Sequence, residues 1–360
     1  MKKKSMAKRI IKGTGIIVLI CVLLFLLLLA FLTITEYRPK HKIAQKVSGT
    51  AAQQTVKRGE NLKLATWNVG YGALGDNADF FMDGGSHVKT ASKSRVLQNI
   101  QGQKTALTRM HPDFVFLQEV DRNSSRSYHI NEVTKIASAF PNDQNIFAQN
   151  FKVAFIPYPL PPIGKVDGGI VTLSDTKVLS STRIQLPCPF KWPVRLGNLK
   201  RCLMVSRVKV KGTDKQLVLV NLHLEAYDNG SGKAAQTRAL KKVLNQEYKK
   251  GNYVVAAGDF NQTFSNIDSS AYPELKGTWH AGALPVKSFG KNWRFLMDTN
   301  VPTCRSLDKP LKGNRTKKFQ YYMIDGFIVS PNVKVIETET QDLGFRNSDH
   351  NPVLLQFALK

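Results

Sequence analysis

Apolar positions fall into two regimes along this chain. From Gly13 to Thr35 no residue is charged, and the heart of the run reads IIVLICVLLFLLLLAFL. At about 1.5 Å per residue, such a stretch reaches about 35 Å as a helix, enough to cross a hydrocarbon core of about 30 Å. Beyond position 60 the run gives way to short apolar strands divided by turn residues. LKLATWNVGYG alternates from Leu62 and breaks into glycine after Asn68; a helical stretch follows over about Ser94 to Met110. PDFVFLQEVD reads as a buried strand ending in Glu119 and Asp121, and the segments from IFAQNFKVAF to RCLMVSRVKVKG read as hairpins. KQLVLVNLHLEAYD carries His223 near its end. A basic amphipathic helix over about Lys233 to Lys249 leads to YVVAAGDFNQ with Asp259 and Asn261; YYMIDGFIVS holds Asp325, and NSDHNPVLLQF sets Asp349 beside His350.

The pattern divides the chain into a basic tail (1–12), a membrane-spanning signal anchor (13–35), a tether (36–60) with little apolar periodicity, and one large domain (61–360). A cleaved signal peptide would have a shorter apolar region and a small-x-small site, which AFLTITEYR does not offer. Lys2, Lys3, Lys4, Lys8, Arg9 and Lys12 precede the run, against Arg38, Lys40, Lys42 and Lys46 after it. That excess places the N-terminus in the cytoplasm and the domain outside the cell. No obligate protein partner is evident.

Net charge is +26, and +20 remains after the six bases of the first 35 residues are set aside. Such a charge favours polyanions or an anionic membrane surface. Of the four cysteines, Cys21 lies in the apolar run; a Cys188–Cys202 disulfide and unpaired packing thiols suit the remaining spacing equally. No zinc spacing occurs. Two further segments invite a role at a site mouth: a Gly-rich insertion, 70–95, with Phe80, Phe81 and Met82, and the Pro- and aromatic-rich FIPYPLPPIGKVDGG and CPFKWPVRLGNLK. Each is also compatible with plain packing on the sheets.

Six apolar segments thus carry a carboxylate, amide or imidazole where a core strand would carry Val or Ile. One such residue is usually a satisfied hydrogen-bonder, but six in order strain that explanation. Carboxylates buried together need a cation among them. Glu119, Asp259, Asp349, Asn68 and Asn261 are hard oxygen donors with no cysteine among them, which suits Mg²⁺ or Mn²⁺. With two histidines near, the set suits phosphoryl transfer to water.

At these residues the chain resembles the endonuclease/exonuclease/phosphatase superfamily, which includes deoxyribonuclease I, apurinic endonucleases, neutral sphingomyelinases and inositol polyphosphate 5-phosphatases. TWNVG, FLQEVD, NLHLE, GDFNQ, IDGFIVS and SDHNPV look like its motifs in the family order, over about Leu62 to Lys360. The resemblance implies a four-layer α/β/β/α sandwich of two packed, mostly antiparallel sheets, here preceded by the transmembrane helix, with the site at the end of the seam. It implies metal binding by Glu119, Asp349 and Asn68, and phosphate binding by Asn68 and Asn261. It also implies catalytic roles for His223, Asp259, Asp325 and His350, with Asp325 fixing His350. Whether His350 or Asp259 takes the proton from water stays open.

The leading expectation is an anchored, outward-facing, Mg²⁺-dependent phosphodiesterase. The charge favours a nuclease acting on DNA or RNA; the anchor favours a phospholipid or sphingomyelin-type phosphodiesterase; a phosphatase is a third variant. A non-catalytic binding module would have lost Glu119 or the Asp349–His350 pair, and both are present.

Overall fold

The computed structural model describes residues 2–314 and 317–360. Two seven-stranded sheets face each other. In the first, Leu62–Asn68 lies between Val353–Leu359 and Phe114–Asp121, followed by Gly164–Ser174 and Gln144–Ile156. In the second, Gln216–His223 and Tyr253–Asp259 sit centrally, between Cys202–Lys209 and Asp325–Val329.

Each sheet has a parallel pair at its centre, Leu62–Asn68 with Phe114–Asp121 and Gln216–His223 with Tyr253–Asp259, and its other pairings are antiparallel. A parallel pair needs a long crossover. Helices Lys93–Met110 and Ser231–Lys249 supply it and cover the outer faces. The first starts at Ser92, whose hydroxyl accepts from the Arg95 N–H at 3.2 Å, a standard N-cap.

Strand alternation sorts side chains between the layers. Leu64, Phe116, Val255, Phe327 and Leu355 fill the space between the sheets. Trp67, Val115 and Leu117 turn outward to Val96, Ile100 and Leu107, while Val220, Leu222 and Val254 turn to Leu240 and Leu244. The result is the expected α/β/β/α sandwich.

One expectation met a different outcome, and two open ones took a definite form. Residues 36–60 are not laid out as a free tether: Lys42–Ala44 pairs with Val178–Gln185 at the edge of one sheet, and Val47–Ser48 with Gln144–Ile156 at the edge of the other. Strands of three and two residues are too short to show a period in sequence. Cys188 and Cys202 are not bonded; Cys202 is buried in the strand that pairs with Gln185, and Cys188 is exposed on the loop beyond. The Phe80–Met82 segment does both things, for Phe80 packs on the helix-side core and lines a cavity together with Phe81 and Met82.

Helix Lys2–Ile34 is long and apolar enough over Ile10–Ile34 to cross a membrane, and its side chains are largely exposed there. Its last turn is the exception. Leu32 is buried against Phe151, Val153, Val166 and Leu196 of the domain.

Candidate active site

Register alone places three of the expected residues in a row. Asp259 pairs with His223 on the neighbouring parallel strand and with Asp325 on the antiparallel one. The backbone is tight here, since a Cβ on Gly258 would lie 2.0 Å from the Leu222 carbonyl oxygen. Only glycine lets these two strands approach and bring His223 and Asp259 level.

The other sheet supplies Asn68 and Glu119. Asn68 ends its strand and crosses the seam: its Nδ2 donates to Glu119 Oε1 and to Asp259 Oδ2, both at 3.1 Å, while its Oδ1 accepts from the Gly70 N–H at 3.1 Å. Glu119 sits where the ladder slips between Leu117 and Val120, with φ of +54°. This bulge takes Glu119 out of the alternation and aims it at the seam, a strain of the kind that clusters at functional sites.

Asp349 and His350 both face the cavity although they are adjacent. The turn is pinned on several sides. Ser348 Oγ donates to the Asn68 carbonyl at 2.7 Å and accepts from the His350 N–H at 3.2 Å, and Trp67 Nε1 donates to the His350 carbonyl at 2.8 Å. Behind the ring, His350 Nδ1 is 2.8 Å from Asp325 Oδ2. Burial alone would depress this imidazole, but the Asp325 charge outweighs it and holds the pKa well above the usual histidine value.

His223 is the opposite case. Burial, reinforced by the Arg201 charge, holds it well below the usual value, so the ring is neutral. Its Nε2 is 3.5 Å from Asp259 Oδ2 and 4.0 Å from Glu119 Oε1, and its Nδ1 has no partner. Asp259 is pushed up to about 7 by burial and by Asp325, and Asp349 to about 6, chiefly by burial. Asn261, at φ +50°, donates its backbone N–H to Asp259 Oδ1 at 2.8 Å and its side-chain amide to the Leu224 carbonyl at 2.9 Å. One amide hydrogen is thus already engaged.

All eight expected residues therefore converge, Asp325 from behind His350 and the rest around a cavity of about 640 Å³ or in direct contact with its wall. Several neighbours gave no signal in sequence. Arg201 bonds Glu225 at 3.2 Å and shores up the His223 strand end; Arg126 bonds Asp121 through both nitrogens at 2.9 and 3.0 Å and lies over the Tyr71 ring at 3.8 Å. Cys304 joins Asp349 and His350, their ligand-type atoms all within 4.8 Å, where the sequence suggested no cysteine. Burial pushes its thiol up to about 12, so it stays protonated and is a poor ligand. A register position on a two-residue strand could not be read in advance.

The donor set fits a hard divalent cation. Among the described residues no Lys or Arg makes a salt bridge to Glu119, Asp259 or Asp349, so three carboxyl groups share a largely buried site with only imidazoles and an amide between them. Oxygen donors in that number suit Mg²⁺ or Mn²⁺.

Carboxyl groups, amides and two imidazoles from both sheets thus meet in one pocket at the seam. The chain belongs to the endonuclease/exonuclease/phosphatase family, whose model matches residues 65–350. Members of this family are in general hydrolases of phosphate esters and typically use a divalent metal. Among solved structures, the chain is similar to an endonuclease/exonuclease/phosphatase from Beutenbergia cavernae (TM-score 0.55, 16% identity, 83% of this chain and 72% of that one). It is also similar to one from Bacteroides vulgatus (0.52, 16%, 84% and 100%) and to the human Nocturnin catalytic domain with bound sulfate (0.51, 15%, 88% and 98%). At such identities the likeness concerns the fold. A search of curated proteins gave no match.

Proposed function

We propose that this protein is a membrane-anchored, Mg²⁺- or Mn²⁺-dependent hydrolase of phosphodiesters, held by residues 13–35 with its N-terminus in the cytoplasm and its catalytic domain outside the cell. The observation that carries the reading is the convergence of Asn68, Glu119, His223, Asp259, Asp349 and His350 from both sheets and one pinned turn onto a single cavity. Glu119 and Asp349, with Asn68 beside them, are the groups that would hold the cation. When bound, it neutralises phosphate charge and polarises the phosphorus for attack.

The chain's own residues divide the remaining work. His350, kept cationic by Asp325, faces the phosphate oxygens and stabilises the charge that grows on them. His223 is neutral and donates to a phosphate oxygen without adding charge. Asp259 Oδ2 lies within 3.1 to 4.0 Å of Asn68, His223 and His350, at the centre of the cluster, and orients the attacking water and takes its proton. Asn261 positions Asp259 and turns its remaining amide hydrogen to the phosphate.

A nuclease is the substrate reading that the +20 charge supports; a phospholipid or sphingomyelin-type phosphodiesterase is the second variant and a phosphomonoesterase the third. The hydrolase reading itself is tested with bis(4-nitrophenyl) phosphate, Mg²⁺ and EDTA. Metal-dependent release of nitrophenol that disappears in both Glu119→Ala and His350→Ala supports it; wild-type turnover in both variants sinks the site assignment.

A further inference from the structure

The end of the apolar helix and the wall of the catalytic cavity are built from one set of side chains. Leu28, Leu29 and Leu32 of the helix pack with Phe151, Ile156, Ile163 and Leu199, and these last four also line the cavity. The joint is fixed by polar contacts as well. Trp192 Nε1 donates to Thr33 Oγ1 at 3.1 Å, and the buried carboxylate of Glu36 is held by Arg195 at 3.2 Å and Lys200 at 3.0 Å. A helix clamped within its last turn leaves its domain no room to swing away from the plane where the helix emerges. The loops beside the clamp carry exposed apolar tips: Leu160 is 89% exposed, Tyr158 66%, Val194 59% and Trp192 52%. Exposed apolar clusters of this kind mark contact surfaces, and at the mouth of a membrane helix the adjoining apolar phase is the bilayer.

The cavity itself favours an amphiphile over a polyanion. Phe81, Met82, Tyr158 and Val194 extend its apolar wall from the clamp toward Glu119 and His350. Its only basic side chains besides histidine, among the described residues, are Arg126, Arg201 and Arg305. Arg126 is bound to Asp121, Arg201 to Glu225, and Arg305 donates from its two terminal nitrogens to the carbonyls of Ser306, Gly75 and Ala78, with only its buried Nε unpartnered. Among the described residues, no lining Lys or Arg is left free of bonded partners to track a nucleic-acid backbone, the element such binding needs.

We infer that the substrate is a phosphodiester lipid of the leaflet in which the helix ends. Its acyl chain lies along the apolar wall between the 156–163 and 190–199 loops, and its phosphate reaches His350 and the carboxylates without the lipid leaving the membrane. Hydrolysis adds one water to phosphorus, breaks one P–O bond, and gives an alcohol and a phosphomonoester. This rests on the hydrolase reading above and names its substrate.

The test uses the full chain reconstituted with Mg²⁺ in vesicles of phosphatidylcholine and phosphatidylglycerol, with bis(4-nitrophenyl) phosphate and a single-stranded oligonucleotide assayed in parallel. Leu160→Asp is the variant, since Leu160 is a loop tip outside the cavity. The expected result is lipid phosphodiester cleavage that falls at least tenfold in Leu160→Asp, with turnover of the soluble chromogenic ester unchanged. Cleavage of the oligonucleotide but not of lipid would overturn the lipid inference and leave the hydrolase standing, as would an equal effect of Leu160→Asp on both substrates. No metal-dependent turnover of any of the three would overturn both.

Discussion

Replacing Asp325 by Asn separates a functional role for the Asp325–His350 pair from a structural one. The amide keeps the size of the carboxylate and can still accept from His350 Nδ1, so the 2.8 Å contact survives while its charge is lost. A hydrogen bond to a charged group is worth about 1.5–3 kcal/mol, and its loss in the transition state alone would lower kcat/KM about 10- to 150-fold. Stability should move little or upward. Asp325 is fully buried, its Oδ1 has no partner, and its charge opposes ionisation of Asp259, so neutralising it relieves one repulsion while it weakens one attraction. The assays are kcat/KM on bis(4-nitrophenyl) phosphate at saturating Mg²⁺ and Tm on the same preparation. Turnover within twofold of wild type would refute a functional pair. A loss of activity that tracks a large fall in Tm would show that the pair holds the fold instead.

Three further outcomes follow from the same geometry. Mg²⁺ should raise the Tm of the wild type, because a ligand bound only by the folded state stabilises it, and Glu119→Ala should abolish that shift and lower turnover by orders of magnitude while the metal-free Tm stays close to wild type. Asp143, half-buried with one oxygen unpartnered, is pushed up to about 7 by burial and by the Asp175 and Asp113 charges. Its folded value lies above its ordinary 3.8, so folding favours the protonated form and stability falls as pH rises from about 4 to about 7. After allowance for solvent screening, Asp143→Asn should gain about 1 kcal/mol at pH 8 and nothing at pH 3.5, as read by urea unfolding; an equal gain at both would refute it. Gly258→Ala drives a Cβ into the Leu222 carbonyl at φ of +148°, and should lower stability by about 1–3 kcal/mol and reduce turnover, which unfolding and nitrophenol release will measure.

What could be read from sequence was whatever breaks a strong period. Asn68, Glu119, His223, Asp259, Asp325 and Asp349 each interrupt or end an apolar strand, and a polar residue there has to be explained by a partner. The partners themselves were not legible. That Asp259 stands level with His223 and Asp325 is a matter of strand register, which one sequence leaves free until the pairing is known. The bulge at Glu119 costs a positive φ at a non-glycine residue, and nothing in FLQEVD announces it. Arg201 and Glu225 meet across a strand pair, and Cys304 arrives beside His350 through an isolated bridge from a two-residue strand to the turn.

The clamp on the helix was invisible for a related reason, and it changes what the charge means. Glu36 is far in sequence from Arg195 and Lys200, yet the three join the apolar helix to the loops at the cavity. A net charge of +20 is a sum over the whole surface and says nothing about where free cations lie. In sequence it suited a polyanion or an anionic membrane surface and put a nuclease first. In the cavity, each of the three arginines is committed to a carboxylate or to backbone carbonyls, and the wall they leave open is apolar. On the lipid reading proposed above, excess charge on the outside of the domain would press it against anionic headgroups, at about 1 kcal/mol for each Lys or Arg near the surface. On that reading, the charge that suits a polyanionic substrate suits equally an anionic surface beside the helix.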